Sequence, residues 1–122
     1  MGEGFKNLVV LLCDSLRYDH ARLLGLKSKI VRAVAPSLHT PTSIASILTG
    51  KSPLAHSVRG FFDKLDLRET VFSVFKHWEF YDKPFDPVRR VILGLRRRPR
   101  ELKEMEEPFL WFERLMEAHV PY

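Results

Sequence analysis

Leu8-Val9-Val10-Leu11-Leu12-Cys13, closed by Asp14, is the stretch that decides the fold. Six apolar residues run without polar alternation. That pattern predicts a β-strand buried on both faces, as in a parallel sheet. The run is too short to span a membrane and too short for a signal-peptide core, so no membrane partner is expected. Asp14 then falls at the C-terminal end of the strand, where open α/β sheets collect their ligands.

Working outward, Tyr18 to Leu24 predicts a helix stopped by Gly25. Lys29 to Ala35 (KIVRAVA) predicts a second strand, stopped by Pro36. Thr40-Pro41 opens a helix, with Thr40 as N-cap and Pro41 at the first helical position. Ile44, Ile47 and Leu48 give it an apolar face, and Gly50 ends it. Thr70 to His77 predicts a further helix, and Tyr81 to Asp86 a loop. Val88, Val91, Ile92 and Leu95 recur at helical spacing behind Asp86-Pro87, predicting an amphipathic helix that Pro99 breaks. Arg100 to Glu107 predicts another helical turn or two, and Pro108 to Met116 a last strand. The order βαβαααβ predicts a three-layer α/β domain with a mostly parallel sheet and flanking helices.

The chain has 122 residues, 45% of them hydrophobic and 29% charged, which suits a single domain over 1–122 with a real core. One cysteine, Cys13, excludes an internal disulfide and a multi-cysteine zinc ribbon, and its place in the strand predicts a small buried hydrophobe. The net charge is +5, and residues 88–103 carry seven of the basic groups against one acidic group. Such a block is either a solvated helix face or a footprint for phosphate-rich partners. Cytoplasmic placement is the expectation.

Thr40 is the second candidate site residue. A hydroxyl at a helix N-terminus sits where backbone N–H groups and the helix dipole favour an anion, although the same residue serves simply as a cap. His39 is its neighbour and a candidate base. His20 reads as part of the first helix, and His20, His39 and His77 are not spaced as a metal pair.

Three segments, taken in order, resemble the alkaline phosphatase/sulfatase superfamily. NLVVLLCDSLRYDH at 7–20 is similar to its opening strand with a metal-binding aspartate. TPTSIASILTGKSPLAHSV at 40–58 is similar to its nucleophile segment. EPFLWFERLMEAHVPY at 107–122 is similar to a later strand ending in H-x-P-Y. The resemblance implies Asp14 as a metal ligand, Thr40 as a nucleophile touching the same divalent metal (zinc, magnesium, manganese or calcium), and His119 as a substrate-binding residue. It implies a structural role for His56 and a part for Arg17 in the first turn.

The chain also departs from that pattern. Thr40 carries a methyl on Cβ and cannot be oxidised to formylglycine, and Ile44 stands where the sulfatase signature has arginine. Sulfate hydrolysis by the aldehyde route is therefore excluded, and a threonine alkoxide suits phosphoryl transfer through a covalent intermediate. Arg114 stands where relatives often have histidine, and Glu117-Ala118 replaces a common Asp-Pro. The D-H-G motif that completes the family's metal sites is missing from these 122 residues.

The resemblance thus implies the N-terminal part of a metal-dependent phosphate- or sulfate-ester hydrolase, with an incomplete metal site and a sheet edge open to self-association. The alternatives are a non-catalytic remnant that binds a partner, and a basic nucleic-acid binder using 88–103. The ordered motif set does not follow from the last, so nucleic acid is not the expected partner.

Overall fold

The computed structural model describes residues 4–83 and 86–117. Strand β1 is Leu8–Cys13, followed by the short helix α1, Tyr18–Ala21. Helix α2 is Thr40–Thr49 and α3 is Pro53–His56. Strand β2 is His77–Tyr81 and β3 is Phe109–Leu115. The three strands form one parallel sheet in the order β1-β3-β2. This is the expected α/β class with a parallel sheet.

Register explains where the core sits. Val10, Phe112 and Phe80 stand in one row, and Leu8, Leu110 and Trp78 in the next. Side chains alternate along a strand, so these rows share one face of the sheet. Phe80 stacks on Phe112 with centroids 5.4 Å apart. Ile44, Ala45 and Leu48 of α2 join them, with Val58, Leu65, Phe72, Val88, Ile92 and Leu93. Each of these side chains other than Ala45 contributes about 1.5–3 kcal/mol by leaving water. Gly50 holds φ 68° just beyond α2 and returns its N–H to the Ser46 carbonyl, a left-handed stop that glycine adopts without a Cβ clash. Thr40 is the first helical residue, with His39 at the cap position, one residue earlier than the sequence predicts.

Several elements differ from the sequence expectation. Strand β1 is an edge strand, with Leu8, Val9 and Leu11 exposed, and is not buried on both faces. Cys13 is exposed, because odd-numbered β1 residues lie on the face away from the core. Residues 29–35 form no strand. Among the described residues no neighbour offers a ladder there, and Ile30, Val31 and Val34 stay exposed. The second strand is His77–Tyr81 instead, where Trp78 and Phe80 alternate inward.

The predicted helix at 70–77 is a single 3₁₀ stretch, Val71–Val74. The Thr70 hydroxyl accepts the Phe72 N–H and favours a tight turn. The amphipathic helix at 88–95 shortens to one π turn, Val88–Ile92, closed by Leu93 N–H to the Val88 carbonyl. Gly94 at φ 67° ends it. Leu102–Glu104 supplies the helical turn expected after Arg100. The covering of the sheet is incomplete on the face of Val9 and Leu11, so the third layer reaches only part of it.

The basic block is resolved in a third way. Arg89 is fully buried, and its Nη1 donates to Glu79 Oε2 at 3.0 Å. Arg97 Nη2 reaches the same oxygen at 3.2 Å, and the Arg100 N–H reaches Glu79 Oε1 at 2.7 Å. Burial opposes the charge of Glu79, but these donors outweigh it and hold the carboxyl below its usual range. Three of the seven cations therefore gather around one buried carboxylate, Arg89 from within the core and the half-exposed Arg97 and Arg100 from its rim.

Candidate functional site

Asp14 follows β1 directly, and its N–H extends the ladder to the Leu115 carbonyl at 3.0 Å. Ser15 then takes a left-handed φ of 65°, a turn that a serine adopts at some cost. Its hydroxyl returns to Asp14 Oδ1 at 3.3 Å. The chain thus leaves the strand sharply and holds the Asp14 carboxylate over the C-terminal end of the sheet.

That carboxylate meets Arg114, which the middle strand β3 delivers to the same end. Arg114 Nε and Nη2 donate to Asp14 Oδ2 at 3.1 and 2.8 Å. Nη1 reaches Asp82 Oδ2 at 3.2 Å and Asp86 Oδ2 at 3.0 Å. The Arg114 side chain is 4% exposed. Burial works against its charge, yet Asp14, Asp86 and Asp82 outweigh that and raise its pKa further. Asp82 behaves oppositely: burial, with Asp86 adding to it, lifts its carboxyl above the ordinary value despite Lys83 N–H and Arg114. Each aspartate spends its second oxygen locally, Asp82 on the Lys83 N–H at 2.7 Å and Asp86 on the Val88 N–H at 2.8 Å. One guanidinium therefore ties together the turns that follow β1 and β2.

Beside this hub lies a cavity of about 370 Å³, bordered by Tyr81, Asp82, Lys83, Arg98, Glu113 and Arg114. Its size is within the range of small-ligand sites. Tyr81 stacks on Trp111 at 4.9 Å, and Trp111 Nε1 donates to Glu113 Oε2 at 3.1 Å, which fixes that wall.

Thr40 is half-buried in the first turn of α2. The His39 side chain makes no cap bond to that helix, and because Pro41 has no N–H, the first turn can offer an anion only the N–H groups of Thr40 and Thr42 beside the helix dipole. Among the described residues, no hydrogen bond joins Thr40 to Asp14. His119 lies outside the described residues. His39 commits Nδ1 to the Arg59 carbonyl at 3.2 Å and sets its ring edge-on to Phe61, which gives it a bracing role beside Thr40.

His56 is buried and structural. The Val58 N–H donates to its Nδ1 at 3.0 Å, so the neutral ring carries its proton on Nε2, facing Ser46 Oγ at 2.9 Å. Arg17 forms a two-bond pair with Asp19 in the first turn; both are exposed, so the pair contributes little.

The metal implied by the resemblance can be tested against these donors. Asp14 Oδ2 is already held by Arg114, and among the described residues no three His, Cys, Asp or Glu side chains are grouped to hold an ion. Asp14 and Thr40 alone do not make a metal centre. The hub residues Asp82 and Asp86 escape sequence reading, where Asp86 reads only as a cap and Asp82 as loop. Their signal is Arg114 itself, because a guanidinium inside the apolar run FLWFERLM must find carboxylates when it is buried.

The chain is 31% identical over 134 aligned positions to the low-salt glycan biosynthesis sulfotransferase Agl7 of Haloferax volcanii. The match takes in 98% of this chain and 32% of that protein, so the chain spans about a third of the length of the curated relative it matches. No protein-family model matches, and no solved structure matches.

Proposed function

We propose that this chain is the part of a sulfuryl- or phosphoryl-transfer enzyme acting on carbohydrate that carries the nucleophile, and that Thr40 is that nucleophile. The observation that supports this reading is the likeness, along 98% of the chain, to a protein named as a glycan-biosynthesis sulfotransferase. The chemistry of Thr40 agrees. A threonine cannot become the aldehyde hydrate that ordinary sulfatases use, but its hydroxyl can take a sulfuryl or phosphoryl group as a simple ester.

In the first step Thr40 Oγ bonds to the sulfur or phosphorus, the donor's ester oxygen leaves, and the hydroxyl proton passes to that oxygen or to solvent. In the second, an acceptor hydroxyl bonds to the same centre and the Thr40 oxygen is released with a proton. Transfer and hydrolysis differ only in whether a sugar hydroxyl or water takes the group. The uncapped first turn of α2 offers N–H groups to the anionic oxygens in either step. The Asp14–Arg114 pair holds the turn after β1 in one geometry.

The test is single-turnover labelling. The chain is incubated with an aryl sulfate and, separately, an aryl phosphate, each with and without added zinc, magnesium or manganese. Peptide mapping then looks for the ester. The reading expects an ester on Thr40, retained in Thr40→Ser and lost in Thr40→Ala. Absence of label on Thr40 in every condition overturns it.

A further inference from the structure

The two edges of the sheet are built differently. In β2, Arg100 Nη2 occupies the Trp78 carbonyl at 2.6 Å, and Arg89 Nη1 occupies the Phe80 carbonyl. Glu79 Oε2 takes the Phe80 N–H at 3.1 Å. These are outward-pointing groups of an edge strand, so side chains already fill the places a further strand would need. Edge strands are commonly guarded by such charged groups.

Among the described residues, nothing guards strand β1 in this way. From Leu8 to Cys13 there is no charge and no proline, and Val9 and Leu11 are 48% and 57% exposed. Because the Asp14 N–H points to β3, the even-numbered residues of β1 bond to β3 and the odd-numbered ones point their N–H and C=O groups outward.

We propose that this chain forms a closed two-fold dimer through antiparallel pairing of β1 with β1 of a second copy, centred on Val10. Head-to-tail joining of β1 to β2 of the next copy would propagate without end, and the arginine plug on β2 blocks it. The remaining pairing is isologous and stops at two, giving a six-stranded sheet.

The register follows from parity and charge. A two-fold axis normal to the sheet keeps the faces, so residues of like parity stand opposite. Centring on Val10 sets Val9 against Leu11, with their outward groups bonded in both directions, and Leu8 against Leu12. It also brings Lys6, in the bend before β1, toward the end of the partner strand where Asp14 stands bonded to Arg114, so a cation approaches the acidic turn at each end of the new ladder. Centring on Leu11 instead would set Leu8 against the acidic Asp14 and Lys6 against Leu16.

The experiment measures mass by light scattering on the whole chain at about 100 µM, where even an interface with Kd of ~10 µM is mostly occupied. Twice the 14.3 kDa chain mass is expected. Val9→Lys and, separately, Leu11→Lys are expected to give monomers with unchanged circular dichroism, since both side chains are exposed in the single chain. Val10 stands opposite itself in a non-hydrogen-bonded pair with Cα atoms about 4.5 Å apart, within disulfide reach. Val10→Cys in a Cys13→Ser background is therefore expected to cross-link on mild oxidation. A monomeric wild type or open-ended assemblies overturn the proposal, and cross-linking by Leu11→Cys but not by Val10→Cys overturns the register.

Discussion

Arg114 and Asp14, 100 residues apart in the chain, meet with two N–H groups on one carboxylate oxygen at 3.1 and 2.8 Å. The same guanidinium also faces Asp82 and Asp86. The C-terminal end of the sheet is thus organised by a single cation that counts against three acids.

Removing that cation should be severe. Arg114→Leu leaves Asp14 and Asp82 with little solvent and no counter-charge, a loss expected to cost about 3–5 kcal/mol. Urea unfolding should show a lower midpoint with a similar slope. Arg114→Lys should recover part of the loss, because an ammonium supplies charge but not the two parallel bonds to Asp14. A variant as stable as the wild type would show that the three aspartates do not depend on Arg114.

The acid limb of stability should be a contest between two carboxyls. Glu79 is held below its ordinary 4.5, so the unfolded state binds more protons there. Its contribution is present above 4.5 and is lost as pH falls through the depressed native value. Asp82 is lifted above its ordinary 3.8, so the native state binds more protons and stability declines as pH rises through that window. Asp82→Asn removes the opposing part, and the gain in stability from about pH 3 to about pH 5 should steepen. Urea midpoints across that range check this, and an unchanged slope would contradict it.

Glu79→Gln tests the plug on β2. The side chain is fully buried and receives Arg89, Arg97 and the Arg100 N–H. A neutral amide leaves the wholly buried Arg89 without its counter-charge, at an expected cost of about 3–5 kcal/mol. Thioflavin-type dye binding should rise with it as the Trp78 and Phe80 edge groups are released. Dye binding equal to wild type would show that the edge is guarded by something else.

Much of the fold was legible because strong patterns coincide with what packing rewards. β1, α2 and β3 sit where their apolar runs and Gly50 place them. What failed was local pattern without a tertiary partner. KIVRAVA has strand-like residues, but a strand exists only where a neighbour bonds it. HWEFY received its partner from β3, a long-range event invisible in a window of ten residues. The periodic residues at 88–95 begin as a helix would, yet Gly94 and the pull of Arg89 toward Glu79 end it after one turn. At the site, Asp14 and Thr40 were readable as a strand-end acid and a helix-opening hydroxyl. The Arg114 hub was not, because a cluster of charges drawn from residues 14, 82, 86 and 114 exists only in three dimensions.

The strand order carries a consequence for how the molecule acquires its shape. β3 lies between β1 and β2 in space but follows both in sequence, with Leu8 paired to Leu110. During synthesis β1 and β2 therefore have no sheet to join until the FLWFERL segment is available, since they never bond to each other. High contact order of this kind slows folding and prolongs exposure of sticky segments. LVVLLC must therefore be kept out of trouble until FLWFERL has been made, and the arrival of β3 becomes the step at which these three strands condense into a sheet.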